Sequence, residues 1–238
     1  MEFLDFLQQA AEEYGLVLNE LQQQQFELYY QLLISWNEKI NLTTITAPQD
    51  VAVKHMIDSL SCYDQKLFPE GASVIDVGTG AGFPGIPLKI FRPDLHLTLL
   101  DSVNKRLIYL QEVVDQLQLG PVSLIHSRAE DAAQDKKLRE NFLVVTSRAV
   151  ARLSVLVELC LPFVSVNGCF LALKGKDALL EVAAAQSGIK ILGGQVSEVR
   201  EISLPGLTDE RSIVVINKIK PSPQTYPRKP GYIEKNPL

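Results

Sequence analysis

The sequence predicts an α/β fold: a mostly parallel sheet with an antiparallel hairpin at one edge, preceded by an N-terminal helical segment. Three observations lead there. From residue 73 onward, short runs rich in Val, Ile and Leu alternate with helical stretches, the pattern of a parallel sheet built through right-handed crossovers. The last two candidate strands have only a turn-rich linker between them, which permits an antiparallel pair. The first 70 residues carry helical periodicity throughout.

Taken in order, residues 2–18 and 20–40 read as two helices. Gly15 interrupts the first near its end, and Asn19 is a suitable N-cap for the second. In the second, Leu21, Phe26, Tyr29, Tyr30, Leu33, Ile34 and Trp36 recur at roughly helical spacing among glutamines. Pro48 and Asp50 open a third helix running to about Asp64, and Phe68-Pro69-Glu70-Gly71 closes the segment. Strands follow in SVIDVG, LHLTLLD, VSLIH, FLVVTS and CFLALKG, with helices over 103–118 and 153–161. A helix at 177–187 precedes two more strands, 191–202 and 212–219, joined by LPGLTDERS. The stretch PSPQTYPRKPGYIEKNPL holds too many prolines for a regular element and reads as an irregular arm. The expected division is therefore a helical segment over 1–70, a cofactor-binding domain over 71–220 and a basic, Pro-rich arm over 221–238.

Composition narrows the class. The 238 residues are 46% hydrophobic and 21% charged, ordinary for a globular protein of one α/β domain plus an added element. The start, MEFLDFLQQAAEEYG, lacks a positively charged stretch followed by an apolar run, so no secretory signal is expected. No stretch approaches the ~20 apolar residues of a membrane span. Cys62, Cys160 and Cys169 are scattered without metal-ligand or redox spacing, and the latter two sit in apolar runs as buried, inert thiols do. A reduced cytoplasmic setting, no membrane partner and a monomeric state are the expectations.

The net charge of −5 weighs against a polyanionic partner, but its distribution matters more. Residues 1–50 carry eight acidic side chains and one lysine, whereas 218–238 carry Lys218, Lys220, Arg228, Lys229 and Lys235 against Glu234. A basic tail on an acidic body is either a local phosphate contact or a solvated tail.

The strongest local signal is SVIDVGTGAGFPGIPLKI, residues 73–90. An apolar strand runs into Asp76, then Gly78, Gly80 and Gly82, then Phe83-Pro84-Gly85. A glycine-rich turn between strand and helix at the carboxyl end of a parallel sheet is a nucleotide-cofactor site, because the backbone there can approach a ligand without a Cβ in the way. The dinucleotide fingerprint G-x-G-x-x-G presents a helix N-terminus to a pyrophosphate. Here an acid, Asp76, stands two residues before the first glycine, which repels pyrophosphate but suits the positively charged amino-acid end of S-adenosylmethionine. Asp101, at the carboxyl tip of the second strand, can accept both ribose hydroxyls, and serves NAD as well. The third strand ends in His126-Ser127-Arg128-Ala129-Glu130-Asp131, whose backbone and acids can receive an adenine edge. The fourth ends in Ser147-Arg148-Ala149, in place of the Asn/Asp-Pro-Pro-Tyr/Phe with which many amine-methylating enzymes of nucleic acids hold an exocyclic nitrogen. No cysteine stands there either, as carbon-5 methylation of a pyrimidine requires. Both absences favour a target that is already nucleophilic, such as a ring nitrogen.

These residues resemble the bacterial glucose-inhibited division protein B family, the small-subunit ribosomal RNA guanine-N7 methyltransferases. The resemblance runs almost end to end: Trp36-Asn37 with Asn41-Leu42-Thr43, His55 with Asp58-Ser59-Leu60, DVGTGAGFPGIPL (76–88), LLDS (99–102), Lys105-Arg106, Ser147-Arg148-Ala149, Leu173-Lys174-Gly175 and YPRKPG (226–231). One departure is visible in the arm, where Gly231 precedes Tyr232-Ile233 instead of a Gly-Thr-Pro. The resemblance implies a Rossmann-like class I methyltransferase fold, S-adenosylmethionine as methyl donor, and 16S ribosomal RNA as partner, free or within the small subunit. It implies that Gly78 and Phe83 contact the donor, that Ala129 and Glu130 bind its adenine end, and that Arg148 completes the pocket; Gly80 and Asp101 are expected at the donor from the glycine turn and the strand end themselves. Lys174, at a strand end, is a phosphate contact or a surface charge; Arg228 and Lys229 are candidates for RNA. His55, among Val53, Met56 and Ile57, reads as packed or capping.

Guanine N7 has a free in-plane lone pair at neutral pH, so methyl transfer to it requires no general base. The protein's task is in-line placement, which can supply roughly 7–11 kcal/mol of rate enhancement. Arg148 is then expected to donate to guanine O6 or to a phosphate. Since the N7 edge is poorly accessible in A-form RNA, the target is expected in an unpaired or distorted loop. Two other classes compete: an NAD-dependent oxidoreductase, for which no Tyr/Lys pair stands near the sheet's carboxyl edge, and a non-catalytic RNA-binding assembly factor on the same fold.

Overall fold

In a computed structural model that describes residues 2–229 and 231–238, the expected helical segment is α1 (Phe3–Tyr14), α2 (Glu20–Asn37), α3 (Pro48–Val51) and α4 (Asp58–Leu60). Gly15 closes α1 in the left-handed conformation at φ 81°, and the Asn19 side chain accepts from the Gln22 amide to cap α2. The single helix expected from Pro48 to Asp64 is interrupted: Ala52–Ile57 winds as a π-helix between α3 and α4. A π segment rotates the side chains beyond it relative to a regular helix, and such segments gather at functional sites.

The sheet contains β1 (Ser73–Val77), β2 (His96–Asp101), β3 (Val122–His126), β4 (Phe142–Arg148), β5 (Val164–Lys174), β6 (Gly194–Ile202) and β7 (Arg211–Lys218). Their order is β3-β2-β1-β4-β5-β7-β6. The first five pair in parallel, and β7 runs antiparallel to both β5 and β6. Thus the hairpin expected at the edge is present, with its second strand inserted next to β5. Helices α5 (Gly85–Phe91), α6 (Asn104–Leu117), α7 (Ala129–Ala132), α8 (Leu153–Cys160) and α9 (Ala178–Ile191) make the crossovers. The strand order reverses between β1 and β4, and the carboxyl ends of those strands form the crevice in which open α/β sheets place ligands.

Alternation along the strands builds two cores. Val74, Leu97, Val144, Leu171 and Val215 face α1, α2, α5 and α6, while Ile75, Val77, Val145, Phe170 and Val214 face α8 and α9. Phe3, Leu7, Phe26 and Leu33 belong to the first core, so the N-terminal helices form one layer of the sheet domain. All three cysteines are free and buried, and burial pushes their thiols up, Cys169 to about 12.

The arm after β7 is irregular apart from α10 (Tyr232–Lys235), and it is tied down along its length. Arg139 donates to the carbonyls of Ser222, Pro223 and Tyr226, and Gln134 donates to that of Pro227. The Arg228 amide and guanidinium both donate to Glu158, which is fully buried on α8. Arg228 also lies against the rings of Tyr226 and Tyr232. Two cations of the basic tail therefore have partners inside the fold. Arg228 neutralises a buried carboxylate, and Lys218, read as part of the basic tail, is buried on β7, donating to the Leu161 carbonyl and the Ser222 hydroxyl. Lys229 is exposed, and Pro230 of the YPRKPG motif lies outside the described residues.

Candidate active site

The glycine turn after β1 is held from both sides. Gly78, Gly80 and Gly82 all have positive φ (70°, 61° and 103°), a conformation side-chain-bearing residues rarely adopt. Below the turn, the Asp76 carboxylate accepts from the Thr79 hydroxyl at 2.7 Å, the Gly85 amide at 3.0 Å and the Thr146 hydroxyl at 3.2 Å. Asp76 is fully buried, and desolvation pushes its carboxyl up to about 6 against these hydrogen bonds. This corrects the sequence-based expectation for Asp76: it fastens the turn from beneath and faces no ligand. On the far side, the Tyr29 hydroxyl of α2 donates to the Ala81 carbonyl at 2.7 Å.

Asp101 takes the position its strand-end location predicts. One oxygen accepts the Val103 amide at 2.8 Å and the other the Gly80 amide at 2.9 Å, with Arg106 at 3.4 Å. The carboxylate thereby couples the end of β2 to the glycine turn. Ala129 and Glu130 open α7 across the crevice.

A cavity of about 530 Å³ lies over these strand ends, within the size range of small-molecule sites. Gly78, Gly80, Phe83, Asp101, Ala129, Glu130 and Arg148, expected to meet a cofactor, all line it. A Cβ at Gly80 would meet nothing nearer than 4.0 Å, so the turn there faces open space, while one at Gly78 would strike Val150 at 2.7 Å. The wall thus offers a shallow, side-chain-free backbone edge next to a carboxylate, the surface a ribose and an aminoacyl group require. The donor set fits S-adenosylmethionine. Glu234 of the arm also lines this cavity, so the segment after the last strand contributes to its wall.

At its other end the cavity is bounded by a polar cluster that sequence reasoning did not assemble. Arg148, at the end of β4, donates to Asp58 at 2.7 Å, to the Lys54 carbonyl at 3.2 Å and to His55 Nδ1 at 3.2 Å. Its guanidinium lies 4.7 Å from the Phe83 ring centroid, and the His55 imidazole stacks on the same ring at 4.5 Å. His55 Nε2 meets the Thr43 hydroxyl at 2.8 Å. Burial, reinforced by the Arg148 charge, pushes the His55 pKa down to about 3. The imidazole is therefore neutral and packed, as its apolar neighbours suggested. Arg148 spends most of its donors on protein, which leaves it less able to bind guanine O6 than expected.

A second cavity of about 380 Å³ shares His55, Arg148 and Ala149 with the first. Lys54, Lys174 and Arg211 bring positive charge to its walls, balanced in part by Asp58 and Glu181. Lys174 is paired with Glu181 at 2.7 Å and donates to the Ala151 carbonyl at 2.9 Å, which favours neither of its two earlier readings in simple form. Among the described residues no group of His, Cys, Asp and Glu could hold a metal ion, and no helix is long and apolar enough to cross a membrane.

The model of a family described as rRNA small subunit methyltransferase G matches residues 22–214. Proteins named ribosomal RNA small subunit methyltransferase G are similar over essentially the whole chain: one from Clostridium beijerinckii is 50% identical over 238 residues, covering 100% of both chains, and one from Bacillus velezensis is 48% identical, covering 100% of this chain and 99% of its own. Among solved structures, a putative transferase from Pyrococcus horikoshii superposes with a TM-score of 0.54 at 11% identity over 70% of this chain and 63% of its own. A precorrin-6y C5,15-methyltransferase from Geobacter metallireducens superposes with a TM-score of 0.50 at 16% identity, over 75% and 91%. These two share the fold, the Rossmann-like class I methyltransferase architecture.

Proposed function

The chain belongs to the rRNA small subunit methyltransferase G family, whose members depend on S-adenosylmethionine, and on that premise we propose that it methylates N7 of a guanine in 16S small-subunit ribosomal RNA. The observation that carries the reading is the shape of the site. A cofactor-sized cavity ends at a neutral, Arg-buttressed wall, and a second, cation-lined cavity opens across that wall.

In this reading Gly78 and Gly80 face the aminoacyl end of the donor, Asp101 the ribose, and Ala129 and Glu130 the adenine. Once bound, S-adenosylmethionine supplies an electrophilic methyl on a sulfonium. The protein's own residues orient and desolvate. Phe83, backed by His55 and Arg148, gives a rigid apolar face where the two cavities meet, and excludes water from it. Lys54 and Arg211, which line the second cavity and pair with Asp50 and Asp58, are candidates for RNA phosphates, and Lys229 remains another. No side chain is needed as a base, because N7 presents its lone pair without losing a proton.

The test is mass mapping of small-subunit RNA from cells with and without the gene, followed by methylation with the purified protein. A single 7-methylguanine that disappears with the gene and returns with the protein is the expected result. Methylation at a carbon or exocyclic nitrogen would overturn the assignment. The oxidoreductase alternative is tested by calorimetry with NAD, for which no binding is expected.

A further inference from the structure

Thr43 sits in the loop between α2 and α3, and its position is fixed from behind. The Asn37 side-chain oxygen accepts the Leu42 amide at 2.9 Å and the Thr43 amide at 3.0 Å, which explains why an asparagine at the end of α2 belongs with a threonine six residues on. The Thr43 hydroxyl oxygen in turn accepts the Ile45 amide at 3.0 Å and lies 2.8 Å from His55 Nε2.

The direction of that last bond follows from its neighbours. Arginine has only donors, so the nitrogen it meets at 3.2 Å, His55 Nδ1, is the acceptor of the ring. A neutral imidazole has one N–H, which must then sit on Nε2 and point at Thr43. Both lone pairs of the Thr43 oxygen are thereby taken, one by the Ile45 amide and one by His55. The hydroxyl hydrogen is left over, and Thr43 lines the cofactor cavity at the end where the second cavity begins. A hydroxyl in this state can only donate.

From this we propose that Thr43 is a specificity-determining donor that binds the acceptor atom beside the methylated nitrogen, guanine O6, and so distinguishes guanine from adenine. The inference rests on the reading of the target as guanine N7. On the edge that carries N7, guanine presents an acceptor at position 6 and adenine an amino donor. A donor-only hydroxyl bonds the first and opposes the second. The chain Arg148–His55–Thr43 acts as a polarity lock, in which a permanently charged guanidinium sets the tautomer of a histidine, and the histidine sets the direction of a hydroxyl. Thr43 is placed at the acceptor end because the donor's ribose and adenine partners, Asp101, Ala129 and Glu130, belong to β2 and α7, on the other side of β1 from the β4 end that carries Arg148.

The experiment is a cycle between protein and substrate. The full-length protein and its Thr43→Val and Thr43→Ser variants are given small subunits assembled on RNA with either guanine or 2-aminopurine at the methylated position. The second base keeps N7 and lacks O6. Product mapping on the guanine substrate comes first; a product other than 7-methylguanine defeats the reading of the target and with it the premise. With that product confirmed, wild type is expected to prefer guanine in kcat/KM by about tenfold, near the upper value of a single neutral hydrogen bond. In Thr43→Val the preference is expected to collapse towards unity, and Thr43→Ser to restore it. S-adenosylmethionine affinity is expected to be the same in all three. Equal use of both bases by wild type overturns the proposal even if Thr43→Val fails to fold. So does a preference kept intact in Thr43→Val, which would mark the hydroxyl as structural, or a loss of cofactor affinity in that variant, which would assign the hydroxyl to the methyl donor.

Discussion

At the scale of single residues, the site shows how neighbours decide what a titratable group can do. Among the described residues His55 is the only imidazole lining either cavity, and its place there would suit a base. Its burial next to a guanidinium denies it that role, since a group held near a pKa of about 3 stays neutral throughout the physiological range. Single-turnover methylation with both substrates saturating is therefore expected to be nearly flat from about pH 6.5 to 8.5. A log-linear rise of unit slope across that window would require an essential base. The same shift makes a stability prediction of definite sign. Between the ordinary value of 6.5 and about 3, the unfolded chain binds a proton that the folded one refuses. The stability His55 contributes is complete above pH 6.5 and is lost as pH falls towards 3. In denaturant titrations, the wild-type advantage over a His55→Gln variant should shrink by about 1.4 kcal/mol per pH unit through that range. Asp76, held up at about 6, acts in the opposite sense, its contribution being present at low pH and lost as pH rises through 6. The residue scale was also where sequence reasoning failed most clearly. An acid two residues before a glycine turn faces ligand or scaffold according to the parity of its strand, and at Asp76 parity aims it into the turn. Gly80, by contrast, was legible as a turn glycine, because its positive φ favours a residue without Cβ, and the open space beside it leaves that backbone edge bare. Gly80→Val is expected to fold and to lose S-adenosylmethionine binding by calorimetry, with unchanged affinity counting against the site.

At the scale of elements, α2 is more than a cover for the sheet. Its apolar stripe buries Phe26, Tyr29 and Leu33, and the hydroxyl of Tyr29 reaches through the core to the carbonyl of Ala81 in the glycine turn. A hydrogen bond of this kind contributes about 1 kcal/mol net, and more when its loss leaves a buried carbonyl without a partner. Tyr29→Phe should thus lower cofactor affinity about five- to tenfold while leaving kcat at saturation near its normal value. A fall in kcat with unchanged affinity would point to another role. The periodicity of α2, its Asn19 cap and the succession of strands were readable, because each depends on spacing along the chain, whereas the first helix, expected over 2–18 with an interruption at Gly15, ends there. The π turn at Ala52–Ile57 was not readable, since its residues fit a regular helix equally well and nothing in their spacing marks the wider winding. Nor was the Arg148–His55–Thr43 array, in which His55 lies 12 residues after Thr43 but Arg148 follows 93 residues later, at the end of β4.

At the scale of the whole molecule, the C-terminal arm changes the meaning of the charge distribution. Its cations looked like a tail for phosphates, yet Arg228 and Lys218 serve carboxylates and carbonyls inside the fold. Burial of Lys218 pushes its ammonium down to about 8, with Glu140 opposing the shift. Removing one member of a buried pair leaves the other charge without compensation, at a cost of roughly 3–5 kcal/mol. Arg228→Ala, which strands Glu158 on α8, should therefore unfold at distinctly lower denaturant concentration. Its RNA affinity should keep the wild-type salt dependence, whereas a slope lower by about 0.7–0.9 would show a lost phosphate contact. Charge counting could not reveal this, because the acid that claims Arg228 lies 70 residues upstream, as the single charged residue of an otherwise largely apolar helix.

The arm also imposes an order of events in time. Synthesis runs from N- to C-terminus, so every strand and crossover helix has emerged before Tyr226, Arg228 and Glu234 exist. Until they dock, Glu158 is a naked carboxylate on α8 and one rim of the cofactor cavity is missing. A nascent chain with its sheet already formed is thus still incomplete, and the partner of Glu158 and the Glu234 part of the cavity wall arrive as a late step, after folding of the body they complete.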